Sequence, residues 1–450
     1  GEALDPHFRP NVTDTFTLSF QRQLSQRMTM ELGYIGRIIK HEYQPLNVNA
    51  VPYMMTLGGQ SFAKAYAAVE MALGCNISTD ACGANVPSKK TNPAGYTSFL
   101  NSLPKQAFFE SAMVPGFCSG FSSCTAAVVD SELSSFETQA VWDLWSDLDG
   151  GSFKFPATML NNTGQLSSGV GVNASVGYGN YNAGYFSLRM NDWHGLTMQQ
   201  NFTWSKALGT GAEVQATSEY TADDPYNLST MYGLQPWDRK FVYNTFLVYE
   251  PPFYKSQQGA LGRVLGGWRF SPIFTTGSGA PMPVFTVNGG GEAFGEGDSS
   301  NFFSNEVAVL TGPLGQSTSS IHYGVKGSNG IGTSGKGLNI FADPAAAWAK
   351  FRQPILGLDT HIGGYGNLRG MPYWNMDMAI HKNIRIAERV GLEFQAIFTN
   401  IFNHAQFQDP NGYFGAANLD TSSSSSFGSS PGQPLDTSPR QMEFGLRVSF

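Results

Sequence analysis

The last ten residues of the chain alternate strictly between apolar and other side chains. A β-strand turns successive side chains to opposite faces of its sheet, so this alternation predicts a strand over 440–450 with one apolar face. Such a face suits the core of a soluble β-sandwich or the hydrocarbon of a membrane, and the pattern alone leaves both open. The apolar positions are Met442, Phe444, Leu446, Val448 and Phe450.

The same alternation recurs in earlier segments, each of about ten to fourteen residues, which is the length that a tilted membrane strand needs. We therefore expect about nine antiparallel strands. They are predicted near 13–24, 27–40, 182–192, 195–207, 237–250, 266–278, 372–385, 388–402 and 440–450.

The connections between these predicted strands alternate in length. Short or medium links follow the first, third, fifth and seventh strands, and long links follow the others, over 41–181, 208–236, 279–371 and 403–439. Outer-membrane barrels combine short periplasmic turns with long external loops. The fold class that we predict is therefore all-β, part of an antiparallel transmembrane β-barrel. Its loops 41–181 and 279–371 are expected to be external and either functional or partly folded.

Composition agrees with this interpretation. Charged residues make up 14% of the chain and the net charge is only −7, which does not indicate a nucleic-acid partner. No run of eighteen apolar residues predicts a transmembrane helix. Several aromatic residues lie at or near predicted strand ends, where barrels carry aromatic girdles. They are Tyr185, Trp193, Trp237, Tyr249, Trp268, Tyr373 and Trp374.

The four cysteines all fall within the long segment 41–181. They are Cys75, Cys82, Cys118 and Cys124. Their spacing is poor for a zinc site, and a loop-rich segment in an oxidising compartment gains from disulfides. Three pairings are open, and we predict the sequence-local one, Cys75–Cys82 with Cys118–Cys124.

The sequence contains few residue patterns that are typical of catalytic sites. Its seven histidines are scattered, and HExxH, CxxC and GxSxG motifs are missing. We therefore predict no enzyme, with no catalytic, cofactor-binding or metal-binding residues.

A family resemblance covers somewhat under half of the chain. The chain resembles the C-terminal part of TonB-dependent outer-membrane receptors, in particular the Oar-like type with a carboxypeptidase-regulatory-like domain that is abundant in acidobacteria. FNHAQF is the most specific element of this resemblance. The matching stretches are DPHFRPNVTDTFTLSFQRQLSQRMTMELGYIG, YNAGYFSLRMNDWHGLTMQQNFTWSKAL, QPWDRKFVYNTFLVYEPPF, LGGWRFSPIFTTGSGAP, GNLRGMPYWNMDMAIHKNIRIAERVGLEFQAIFTNIFNHAQF and RQMEFGLRVSF.

The resemblance implies a bacterial outer-membrane location and a role in ligand uptake. Its implied partners are membrane lipid, the barrel insertion machinery, a plug with further strands from the parent protein or another chain, and TonB indirectly. The C-terminal strand 440–450 also resembles the signal that this machinery reads. Two other functions stay open, a surface protein that displays large loops and a passive porin. The sequence does not identify the ligand.

Such receptors have a plugged barrel of about 22 strands. Nine strands do not close it, and the chain contains no recognisable plug or TonB box. We therefore expect residues 1–450 to be the C-terminal part of a larger barrel, or one portion of a barrel shared between chains.

Overall fold

A computed structural model gives the structure of most of the chain. It describes residues 2–48, 50–78, 81–156, 158, 171–210, 224–286, 294, 307–328, 336–362, 366, 368–387, 390–410, 426–432 and 439–450. The main element of this described part is a wide sheet in which each long strand pairs antiparallel with the next long strand along the chain.

The long strands of the described part overlap the nine predicted segments. They are β1 (Val12–Ser25), β2 (Met28–Asn47), β3 (Gly171–Trp193), β4 (Leu196–Gly209), β5 (Phe241–Tyr249), β6 (Trp268–Gly277), β7 (Tyr373–Arg385), β8 (Gly391–Thr399) and β9 (Gln441–Ser449). Their order in the sheet is their order in the chain, which makes the sheet a simple meander. β1 and β9 lie at its two edges.

Two strands are longer than the sequence indicated. β2 continues to Asn47 and β3 begins at Gly171, with Leu46 opposite Val172 in the same ladder. Residues 41–47 and 171–181 are therefore strand, and our prediction that they belong to the loop 41–181 was wrong. The apolar alternation stops near residue 40, but the backbone ladder continues through polar side chains such as Tyr43, whose hydroxyl donates to Asn173 Oδ1 at 2.7 Å.

The long link between β2 and β3 folds into helices. They are α1 (Phe62–Ala72), α2 (Pro93–Ser102), α3 (Ala107–Ala112), α4 (Cys124–Ser131), α5 (Leu133–Glu137) and α6 (Val141–Asp149). Elsewhere α7 (Gly259–Leu265) lies between β5 and β6, α8 (Pro344–Trp348) between β6 and β7, and a 3-10 turn at Leu228–Met231. Short strands occupy Glu2–Leu4, Thr56–Leu57, Gln60–Ser61, Gly233–Leu234, Pro281–Met282, Val309–Leu310, His322–Lys326, Lys336–Asn339, Phe351–Arg352 and Leu368–Arg369.

Local sequence explains where these helices begin. Ser61 caps α1 by accepting from the Lys64 amide, and Ser123 caps α4 by accepting from the Ala126 amide at 3.0 Å. A short polar side chain at the N-cap satisfies an amide that the helix itself cannot pair. Behind its cap, α1 is mostly apolar and is buried on most sides, with Lys64 and Met71 exposed.

Three of the long connections share one hydrophobic core, which we call the loop domain. It comprises α1–α6 together with parts of the connections 208–236 and 279–371, while other residues of 279–371, such as Phe341 and Phe351, form a second core with Phe427. Trp145 of α6 is fully buried and its ring lies 4.9 Å from that of Phe62 in α1. Members from the other connections include Met231, Phe285, Phe294, Val307, Ile355, Leu356 and Ile362.

Polar contacts join the same connections. The Tyr53 hydroxyl donates to Asp224 at 2.6 Å, and the amides of Tyr226 and Asn227 donate to the same carboxylate. The Ile362 amide donates to the Thr230 carbonyl at 3.0 Å. The long connections therefore fold together rather than extending separately into solvent.

Both predicted disulfides are present in the loop domain. Cys75 is bonded to Cys82 and Cys118 to Cys124, which is the sequence-local pairing that we predicted. Each bond closes a short loop beside a helix of the domain. Spacing alone left three pairings open, and the fold brings together the partners that are nearest along the chain.

Glu70 is a buried acid in the core of the loop domain, and it makes this core sensitive to pH. Burial raises the pKa of Glu70 well above its ordinary value of 4.5, and the neighbouring Tyr66 and Gln139 side chains lower it by less. The folded state therefore retains a proton that the unfolded chain releases. Stability is fully present below the unfolded pKa and is lost as pH rises through the folded pKa.

We expect the melting temperature of the loop domain to fall as the pH rises above the ordinary glutamate pKa of 4.5, and Glu70→Gln to flatten this dependence, because glutamine has no proton to retain. Near-ultraviolet circular dichroism of its buried tryptophans would measure the transition. Lys64→Gln on the same helix should keep the wild-type slope. Equal slopes for wild type and Glu70→Gln would contradict the prediction.

Candidate functional site

One face of the sheet is apolar across all of its long strands. The register shows this from edge to interior: Phe444 lies opposite Ala396, which lies opposite Ile380. The same face continues through β6, β5, β4, β3 and β2 to β1. Its exposed members include Phe16, Leu18, Phe20, Leu32, Tyr34, Phe202, Trp204, Met442, Phe444, Leu446 and Val448. A contiguous apolar surface of this extent requires an apolar environment.

The opposite face carries polar ladders that run across the strands. Tyr185 on β3 donates its hydroxyl to Glu31 on β2 at 2.8 Å. Asn201 on β4 accepts from the Ser187 hydroxyl at 3.0 Å and donates to Asn244 Oδ1 on β5 at 2.9 Å. These side chains satisfy one another's hydrogen-bonding groups and form a polar surface that water can contact. The residues at odd positions of β9, such as Glu443 and Arg447, continue this face.

The positions of the aromatic residues correct one expectation. Tyr249, Trp268 and Trp374 lie on the apolar face, as expected for a girdle. Tyr185 and Tyr373 lie on the polar face instead, so their assignment to the girdle was wrong. Each covers a glycine on the neighbouring strand: an added Cβ at Gly33 would meet the Tyr185 ring, and one at Gly277 would meet the Tyr373 ring.

An apolar patch lies on the polar face, and we call it the inner apolar patch. Phe246 and Val248 on β5 and Ile273 on β6 are 47%, 37% and 51% exposed, and Ile273 lies directly opposite Phe246. Sequence reasoning missed this feature. The available signal was the run of four apolar residues at 246–249, which breaks the alternation.

One group of potential metal ligands occurs in the described part of the chain. Glu70, Cys75 and Cys82 have ligand atoms within 4.8 Å of one another. Both sulfurs are used by the disulfide, so they offer no thiolate to a metal ion. The geometry therefore provides no metal centre at this cluster in the oxidised protein.

A meander with one hydrocarbon-like face, one polar face and long connections at one end defines the wall of an outer-membrane β-barrel. The comparison with protein families agrees. The model of the outer membrane beta barrel domain matches residues 1–443, and the chain belongs to this family. The protein is therefore a component of the bacterial outer membrane, with lipid against its apolar face.

Solved structures with similarity to the chain include three outer-membrane proteins. The ferric-catecholate import receptor Fiu from Escherichia coli K12 has 7% identity and a TM-score of 0.32, with 98% of this chain and 28% of that chain covered. The outer membrane transporter YddB from Escherichia coli has 6% identity and a TM-score of 0.33, with coverages of 98% and 33%. The siderophore receptor PirA from Acinetobacter baumannii has 7% identity and a TM-score of 0.31, with coverages of 98% and 32%.

The chain therefore spans about a third of the length of these structures. No curated protein matches it. No helix in the described ranges is long and apolar enough to cross a membrane.

The two faces of β9 should differ sharply in their tolerance of charge. Phe444→Arg places a guanidinium on the lipid face and should cost about 2–4 kcal/mol of folding free energy near the bilayer midplane. Glu443→Arg places the same group on the polar face and should cost much less. Refolding titrations in lipid vesicles would measure both, and equal sensitivity at the two positions would disprove the assignment of the faces.

Proposed function

We propose that the chain is the C-terminal barrel part of a TonB-dependent receptor of the Oar-like type, as in acidobacteria. In this proposal the whole protein takes up a ligand that is too large or too scarce for porins. TonB acts indirectly, through a plug that the parent protein supplies. The loop domain lies on the external side and first meets the ligand.

The observation that carries this proposal is the inner apolar patch. On the wall of a water-filled pore, three exposed apolar side chains would be unfavourable, because water would contact them. A plug that packs against Phe246, Val248 and Ile273 would remove them from water. The patch therefore favours a plugged receptor over a passive porin.

The loop domain gives further support. Its long connections share one core, Asp224 joins two of them through Tyr53, and two disulfides cross-link the helical connection internally, so we expect the domain to be well ordered. Rigid loops preorganise a binding surface and reduce the entropy cost of ligand capture. This property also suits a protein that displays its loops for adhesion, so the loop domain alone does not distinguish the two.

Substitution within the inner apolar patch tests for the plug. Ile273→Asn in the full-length protein should loosen the plug contact, and a loss of about 1.4 kcal/mol would raise the open fraction about tenfold. Conductance across planar bilayers would measure this change. Thr275→Asn on the same face of the same strand serves as the matched control and should leave conductance low.

A porin should conduct without any substitution, and Ile273→Asn should then make no difference. Either result would contradict the proposed plug. The segment encoded upstream of residue 1 gives an independent test, because the proposal requires a plug and a TonB box there. A signal peptide placed directly before residue 1 would exclude the import function.

The edges of the sheet lead to a second prediction. Unpaired backbone groups on β1 and β9 would each cost several kcal/mol in lipid. We therefore expect both edges to be paired in the native particle, most simply by further strands of the parent protein. Light scattering and circular dichroism of the isolated 450-residue chain in detergent should show association or incomplete folding. A stable, fully folded monomer would contradict this expectation.

A further inference from the structure

The FNHAQF element has no part in the proposed function, and it begins just beyond the end of β8. Its first residues belong to a tight corner over 400–404, which we call the asparagine corner. Asn400 and Asn403 have positive φ angles of 51° and 53°, which asparagine tolerates better than most residues. The Asn403 amide donates to the Asn400 carbonyl at 2.8 Å and closes the corner.

The asparagine corner is fixed to the neighbouring strand β7. The Asn400 amide donates to Asp377 Oδ1 at 2.8 Å, and the Ile401 amide donates to the Met376 carbonyl at 2.9 Å. The Asn400 side chain also accepts from the His404 amide at 2.8 Å and donates to the His404 carbonyl at 2.9 Å. Backbone and side-chain contacts together therefore set its position relative to β7 and β8.

The same corner holds the start of β9. The Arg440 amide donates to Asn403 Oδ1 at 3.0 Å, and the Arg440 guanidinium reaches the Ile401 carbonyl at 3.4 Å. Arg440 directly precedes β9, whose first residue Gln441 lies opposite Thr399 at the end of β8. The corner therefore joins the two ends of the connection 400–440.

Alternation alone does not fix the position of β9 along β8. A slip of one residue would turn every apolar side chain to the polar face, whereas a slip of two residues keeps both faces. In β9 all even positions are apolar and all odd positions are polar or glycine. A slip of two residues would place Gln395 opposite Arg447 instead of Gly445 without moving an apolar side chain from lipid.

Other features distinguish these registers only weakly. Hairpin register is usually set by a loop of about two to five residues, and the connection 400–440 is far longer. Glu393 lies opposite Arg447, but its carboxylate is 3.5 Å from His381, and exposed charge pairs contribute little. The Arg440–Asn403 hydrogen bond is specific to one register, because a slip of two residues moves the Arg440 amide by about 7 Å.

We propose that the asparagine corner selects the register of β9 when the last two strands pair during membrane insertion. It replaces the short loop of a hairpin. By binding the Arg440 amide, the corner brings the start of β9 to the end of β8, although a long connection separates them in the chain. This role does not depend on ligand import or on a plug.

Cysteine pairs in the full-length protein test the register directly. Gln395→Cys with Gly445→Cys reports the native register, because these residues lie opposite one another. Gln395→Cys with Arg447→Cys reports the slipped register, since this diagonal pair is about 7–8 Å apart in the native sheet and too far for a disulfide. Each pair is oxidised while the protein refolds into lipid vesicles, and mass spectrometry of the linked peptides gives the yields.

Removal of the Asn403 acceptor should increase the slipped register. Asn403→Gly keeps the positive φ accessible and removes the side chain, so the yield of the slipped pair should rise about two- to tenfold. Asn403→Asp retains an acceptor oxygen and should behave as wild type does. Gln408→Gly, at an exposed position of the same connection, is the control for added chain flexibility and should leave the yield unchanged.

Asn403→Ser gives a second measurement if Asn403→Gly does not insert, because its hydroxyl is a shorter acceptor and the slipped yield should rise by less. An unchanged slipped yield in the glycine and serine variants would overturn the proposal. An equal rise in Asn403→Asp or Gln408→Gly would show that the acceptor at residue 403 does not select the register, which also contradicts it.

Discussion

The backbone hydrogen-bond ladder in a two-sided environment is the constraint on which the rest of this structure depends. In hydrocarbon every backbone amide and carbonyl must be paired within the protein, and a sheet does this only if each strand has a neighbour. The ladder then turns successive side chains to opposite faces of the sheet. Phe444 and Glu443 of β9 must therefore face opposite environments. The lipid face, the polar ladders and the unpaired edges all follow from this requirement.

The loop domain is stabilised by burial of apolar side chains in a core, because water surrounds it. Its helices bury apolar faces around Trp145 and Phe62, and its core draws side chains from three connections that are far apart in the sequence. The Asp224 carboxylate joins two of them through Tyr53. Because the wall holds the ends of these connections near one another, a single core can form from segments that would each be too small to fold alone.

Departures from the alternation mark the places where the wall does more than separate lipid from water. Ile273 and Phe246 place apolar surface on the polar face, and Tyr185 covers Gly33 there. Ile273 and Phe246 break a pattern that most other strand residues keep, and the proposed plug contact rests on this break.

The sequence by itself determined the long strands and their two faces, because both depend on the alternation of neighbouring residues, whereas it left three disulfide pairings open. It determined these only where lipid enforced alternation. The extensions of β2 to Asn47 and of β3 from Gly171 lacked that signal and were missed. Tertiary structure alone decided which side chains form the loop domain core and that Ile273 lies beside Phe246 in the inner apolar patch. Each of these joins residues from separate strands or loops, and no local periodicity records which of them will meet.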